Sequence, residues 1–243
     1  MPGRMVALVF TLVATSCGGV DAVGFVTTKL AEGPLPELPS TGQLFVTVLH
    51  VPQQPNAPIT HAHIAGFVYT LSGTSQLAIQ GGETSDIKAG EAGFVEVGIV
   101  HTHANPGPSA NDWYFIGLRP TGTRILTPSF PGQSTMYDTG DLPVTALVAG
   151  KYTEQLNVTT LEKGGRTAAH KHAGLEILVI LAGSVQLRTA SAQPVTLTSG
   201  KGASVLPNTA MQVSNVGDGQ AQWLAFFVTQ EGQPLSTNLD TAP

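Results

Sequence analysis

The chain repeats itself. Gly73 and Gly183, Gly90 and Gly200, Asn105 and Asn215, and Trp113 and Trp223 are each 110 residues apart. The pairs His61-Ala-His63 and His170-Lys-His172 stand 109 residues apart, so one residue is gained before the first glycine. Upstream, Leu44–Leu49 reads against Leu156–Leu161. A register held over so many Gly, Asn, Trp and His positions makes the 243 residues two copies of one small module. The period is too long, and two copies too few, for a solenoid.

Each copy reads as short strands. Gln43–Val51 and Gly66–Leu71 are β-branched and aromatic runs bounded by Gly, Pro, Asn and Ser, and Ser75–Ile79 alternates polar with apolar. Turn signals recur at Gly81-Gly82, Ala89-Gly90, Asn105-Pro106-Gly107 and Pro131-Gly132. With 28 Gly, 17 Pro and only 11% charged residues, the composition suits a turn-rich all-β protein. The expected division is an irregular arm at 18–40, a barrel at 41–120, a linker at 121–141, a second barrel at 142–232 and a tail at 233–243. A net charge of −5 without a Lys/Arg cluster argues against nucleic acid as a partner.

Six of the seven histidines fall within the repeat. On a strand, residues i and i+2 share a face, so His61 and His63 can converge on one ion, as can His101 and His103. An isolated His-x-His is more often a surface or core pair, but two in one repeat unit reverse that balance. Imidazole suits Fe(II), Zn, Cu and Ni, whereas all-oxygen sites suit Ca and Mg. His50 has no evident partner. Tyr69 and Tyr114 are candidates to place a hydroxyl in the first cavity. Glu96 is either a carboxylate near His101 or a solvent-facing residue. Trp113 and Trp223 are expected in the barrel cores. Asn157-Val158-Thr159 fits a glycosylation acceptor, for a eukaryotic secretory chain only.

These motifs resemble those of the cupin family: a His-x-His, a Glu a few residues on and a Gly, then a second motif of Gly, Pro, His and an Asn four residues after that His. The first half matches with His61, His63, Gly73, Gly90, His101 and Asn105, and the second with His170, His172, Glu176, Gly183, Gly200, Pro207 and Asn215. The resemblance implies two tandem antiparallel jelly-roll barrels, a bicupin, with metal held inside a barrel by three His and one Glu. Both halves depart from that set. In the first, the Glu position falls at Gly66 or Phe67, leaving His61, His63 and His101 with His103 as a candidate fourth ligand. In the second, Met211 stands where the last His is expected, leaving His170, His172 and Glu176 as a weaker site. Met211 is either a soft ligand or, more simply, a core filler. The implied cofactor is a divalent transition metal, Fe(II) favoured, with Mn, Ni, Cu and Zn as alternatives.

The N-terminus reads as an export signal at 1–17: Arg4, an apolar run over 5–14, then small residues. Val13–Cys17 resembles a bacterial lipobox with the lone Cys17 at the lipidated position; cleavage near Ser16 by an ordinary secretory route is the other reading. The expected location is therefore exported: periplasmic, secreted, or an envelope lipoprotein touching the membrane only through Cys17. The expected function is a metal-dependent, dioxygenase-like oxidoreductase acting on a small organic substrate, with its metal in the first barrel and a homo-oligomer admissible. The alternative is a non-enzymatic cupin that binds a sugar, small acid or metal. Oxalate-type decarboxylation ranks last, because neither half carries the full ligand set.

Overall fold

A computed structural model describes residues 21–38, 42–123 and 130–243; the expected signal at 1–17, with Cys17, lies outside them. Among the described residues there is no α-helix, only strands and one short 3-10 turn, Thr121–Thr123. In the first half the strands are β2 (Leu44–Gln53), β3 (Ile59–His61), β4 (Gly66–Ser72), β5 (Thr74–Ile79), β6 (Thr84–Lys88), β7 (Ala92–Val95), β8 (His101–Ala104) and β9 (Asn111–Pro120). They are preceded by β1 (Val23–Leu35) and followed by β10 (Ser134–Asp138). The second half holds β11 (Tyr152–Arg166), β12 (His170–Lys171), β13 (Leu175–Ala182), β14 (Ser184–Thr189), β15 (Ala192–Thr198), β16 (Gly202–Val205), β17 (Met211–Asn215), β18 (Ala221–Gln230) and β19 (Thr237–Asn238).

Among the described residues all strand pairings are antiparallel, and each half is built from two facing sheets. In the first the orders are β10-β2-β9-β4-β7 and β3-β8-β5-β6. The second repeats them as β1-β11-β18-β13-β16 and β12-β17-β14-β15, joined into one sheet where Arg166 of β11 meets Ser214 of β17. The repeated glycines make the tight corners. Gly73 and Gly183, each the single residue between consecutive strands, have φ of 73° and 76°, a left-handed conformation that costs an L side chain energy.

Two segments depart from the expected division. The stretch 18–40, expected as an irregular arm, contains the 13-residue strand β1. That strand leaves its own half to pair with β11 of the other, in a register running from Val23↔Arg166 to Leu35↔Tyr152. Within 121–141, expected as a plain linker, β10 pairs back onto β2, Ser134 opposite His50. Each half thus gives its leading strand to the other half's sheet. Gly33 of β1 leaves room for the Phe94 ring of β7, where an added Cβ would stand 2.0 Å from the ring. Gly202 of β16 likewise receives Tyr137 of β10, at 2.6 Å.

The register also corrects one alignment. Leu44 faces Pro120 and Tyr152 faces Gln230, so Leu44 corresponds to Tyr152, not Leu156. A period-two apolar pattern looks alike at every even shift, and only pairing with the neighbouring strand fixes it.

Among the described residues, buried apolar side chains form three clusters. Leu49, Val51, Val68, Leu77, Trp113, Phe115 and Phe130 fill the first barrel. Leu161, Leu178, Val185, Met211, Val213, Trp223 and Phe227 are in the second. The third lies between barrels, where Val46, Phe67, Tyr114 and Ile116 meet Leu156, Ile177, Leu224 and Phe226; the Phe67 and Phe226 rings are 5.9 Å apart, edge to face.

Candidate metal centres

In the first barrel, β3 pairs with β8 so that His61 is opposite His101 and Ile59 opposite His103. Strand alternation turns His101 and His103 to one side, as expected. His63 lies beyond the end of β3, yet its ring reaches the same point. One ligand atom from each of His61, His63, His101 and His103 falls within 4.8 Å of the others. His101 Nδ1 donates to the Ile99 carbonyl at 2.8 Å and His63 Nδ1 to the Ile64 carbonyl, leaving both Nε2 lone pairs for an ion. The Nε2 atoms of His101 and His103 are 3.0 Å apart. Two imidazole nitrogens sharing one ion at about 2.1 Å stand roughly 3.0–3.4 Å apart.

Both ring nitrogens of His61 and Nε2 of His63 are buried without a hydrogen-bond partner, a condition metal ligation relieves. Burial, then the neighbouring histidines, brings His61 down to about 4, and burial does the same for His63, to about 3. Burial lowers His101 too, and takes His103 well below the usual imidazole value. The cluster is therefore neutral, as ligands must be, at pH 7. The unfolded chain takes up protons below pH 6.5, while folded His61 resists until about pH 4 and His63 until about pH 3. Metal-free protein should thus lose stability as pH falls through that window. A His61→Leu/His63→Leu variant should lose less, as read by denaturant unfolding at pH 4.5 and 7.

Trp113 stacks on His103 at 4.7 Å, Phe130 meets His61 and His103 edge-on, and Phe115 covers His63 at 4.7 Å. These rings and Arg119 leave a cavity of only about 30 Å³. Gly66 takes the place of Glu176, since Gly66 pairs with Val95 as Glu176 does with Val205. A Cβ at Gly66 would stand 2.8 Å from the Phe115 ring, so that ring fills the carboxylate's space.

In the second barrel His170, His172 and Glu176 converge within 4.8 Å. His170 Nδ1 donates to the Ala168 carbonyl at 2.8 Å and His172 Nδ1 to the Leu235 carbonyl at 2.6 Å, so both Nε2 atoms, 3.1 Å apart, turn inward. His172 Nε2 is 3.3 Å from the Glu176 carboxylate. Burial pulls the His172 pKa down, but Glu176 and the Leu235 carbonyl outweigh it, so the net shift is upward. This is a place that stabilises positive charge, and the donor set fits a divalent ion with open positions. Met211 is opposite His170, 1% exposed, packed in the core and lining the cavity of about 200 Å³ that opens here.

The other candidates fall elsewhere. Tyr69 and Tyr114 face the core between barrels, not the first cavity. His50 bonds Asp112 at 3.0 Å, Glu96 is exposed, and Asn157 is buried in the second cavity wall, out of reach of glycosylation. Asn105 and Asn215 brace turns, through Ser109 and Gly219 carbonyls at 2.8 Å each. Arg119, Phe130, β1 and the Leu235 carbonyl escaped sequence reasoning. Arg119 and Phe130 lie outside any His motif, and a backbone carbonyl has no sequence signal.

Residues 157–227 match the family model of the cupin domain. The chain carries a cupin domain in a bicupin fold. No curated protein matches this bicupin by sequence. Among solved structures it resembles Lactobacillus farciminis oxalate decarboxylase in complex with formate, at 15% identity over 98% of this chain and 90% of that one, TM-score 0.58. It also resembles Bacillus subtilis oxalate decarboxylase, in a structure concerned with that enzyme's Mn(II) centres, at 17% identity over 98% and 80%, TM-score 0.58. At these identities the likeness establishes the fold of the bicupin. Its chemistry rests on the two clusters.

Proposed function

We propose that this bicupin is a metal-dependent oxidoreductase whose small organic substrate meets the metal in the second barrel. The observation that carries this reading is the difference in room: about 200 Å³ beside His170, His172 and Glu176, against about 30 Å³ at the four histidines. Sequence reasoning put the reacting metal in the first barrel, but that cavity has space for an ion and little more. His170, His172 and Glu176 would hold the ion, which would supply Lewis acidity and, as Fe(II), redox chemistry; among the alternatives, Mn(II) is the metal named for the Bacillus relative. Glu176 offsets part of the ion's charge. The Leu235 carbonyl holds the His172 ring in its ligating tautomer. Phe25, Trp223 and Phe227 line the cavity and keep water from the reacting end.

The closed first centre supports a second reading, a resident structural ion in a protein that binds without reacting. Decarboxylation of oxalate, the reaction of the two named relatives, is less favoured, since neither cluster is three His and one Glu. Export stays part of the proposal on the strength of residues 1–17.

The test is metal analysis with oxygen uptake. Purified protein should carry close to two ions per chain, His101→Ala and His172→Ala should each lose one, and His172→Ala alone should lower oxygen uptake about 100-fold. Metal without oxygen uptake across aryl acids, thiols and dicarboxylates would leave the binding reading. Carbon dioxide release from oxalate would replace both.

A further inference from the structure

The two cavities differ by a few substitutions at corresponding positions. Trp113 faces Val51 and Trp223 faces Thr159, so Leu49 and Val51 of the first barrel become Asn157 and Thr159 in the second. His103 becomes Val213, and Phe115 becomes Ala225: Leu77 faces His103 as Leu187 faces Val213, and Val68 faces Phe115 as Leu178 faces Ala225. Loss of two rings opens the space, and Ala225 spares the volume that Glu176 needs. The wall so exposed is mostly apolar, with Phe25, Trp223, Phe227 and Leu235, and its polar side is uncharged: Thr27, Asn157, Thr159 and Ser236. Thr27, on the exchanged strand β1, bonds Thr159 at 3.0 Å. Among the described residues no Lys or Arg lines this cavity, and the one carboxylate among them, Glu176, sits with the histidines.

Charge and volume together select a ligand. A dicarboxylate whose two heads are too far apart to chelate one ion has one end to give to a metal and no cation for the other, so its second charge would be buried unpaired. An apolar body removes water from an apolar wall at a gain proportional to area. An apolar cavity of about 150 Å³ already admits benzene. We infer that the second cavity is a site for a compact, largely apolar molecule, aryl or branched alkyl, with a single oxygen-bearing end directed at His170, His172 and Glu176. This deepens the proposed function by naming its substrate class and rests on the second barrel being the substrate site.

Calorimetric titration of the full metal-loaded chain with benzoate, acetate and terephthalate tests it. Benzoate and acetate share a head and differ in body; terephthalate adds a second charged head at the far end of the same ring, too distant to reach the same ion. Benzoate should bind at least tenfold more tightly than acetate, and terephthalate no more tightly than acetate. Val213→Phe places a ring where His103 stacks on its tryptophan, and should abolish benzoate binding while the metal content stays as in wild type. Thr27→Phe blocks the same cavity from the exchanged strand, should the first variant fail to fold. Terephthalate binding as tight as benzoate, or benzoate binding unchanged in a folded blocking variant, would overturn the inference. Benzoate selectivity without oxygen uptake would sustain it and instead sink the oxidoreductase reading.

Discussion

A chain beginning at Pro36 should lose its second barrel first. Strand β1 supplies eleven register pairs to β11 and places Phe25 and Thr27 in the wall of the second cavity, with Ala22 just before the strand. Leu35 is 2% exposed in the core between barrels, and Leu30 and Ala31 pack against that core. At about 1.5–3 kcal/mol per buried large apolar side chain, loss of the strand should destabilise the second half by on the order of 5 kcal/mol. It also uncovers one edge of the 15-residue strand β11, a template for pairing with another chain. Denaturant unfolding should show a low-denaturant transition absent from the full chain, and size-exclusion chromatography should show self-association. A peptide of residues 21–37 supplied in trans should reverse both. An unchanged single transition would mean that β1 only decorates the sheet.

Glu154→Leu should stabilise the protein, most strongly in mild alkali. Glu154 is fully buried on β11, facing the core between barrels at the place that Val46 holds in the first half, because Val46 faces Leu118 as Glu154 faces Val228. Neither carboxylate oxygen has a well-formed hydrogen bond. Burial raises its pKa to about 8, partly offset by the Leu118 backbone. The sign follows from linkage. Below pH 4.5 both folded and unfolded forms are protonated; from there to about pH 8 the unfolded chain releases its proton and the folded chain does not, so stability falls as pH rises. At about 1.4 kcal/mol per pH unit, the cost at pH 8 and above is on the order of 3–5 kcal/mol. The gain from Glu154→Leu over wild type should therefore be small at pH 4.5, grow through neutrality and level off above pH 8. Glu154→Gln should remove the pH dependence but recover less, because its amide stays buried among apolar groups. Equal gains at pH 4.5 and 8 would show that Glu154 does not titrate in this window.

The two clusters were legible because their ligands are local in sequence. His61-Ala-His63, His101-Thr102-His103 and His170-Lys171-His172 each bring two rings together by backbone geometry alone, and the repeat set Met211 in the place of His101. What surrounds each cluster was not legible. Whether His103 joins the first cluster depends on Trp113 and Phe130 holding its ring in place. Gly66 reads in sequence as a missing ligand; in the fold its place is taken by the Phe115 ring, and Ala225 stands at the position corresponding to Phe115 in the second barrel, where Glu176 is present. Such pairs are distant in sequence, and neither member signals the other.

The repeat by itself determined that the chain makes two β-barrels, because matched glycines at left-handed corners and matched apolar strands permit little else. It also determined where ion-binding side chains would lie. Only the tertiary structure decided which half supplies each leading strand, since nothing in the sequence of the 13-residue β1 or the 5-residue β10 marks the sheet edge it joins. It alone decided which barrel has room for a substrate. Cavity volume is a difference between large packed volumes: His103, Phe115 and Phe130 leave about 30 Å³ in the first barrel, where Val213 and Ala225 stand for two of those rings in the second and the cavity is about 200 Å³.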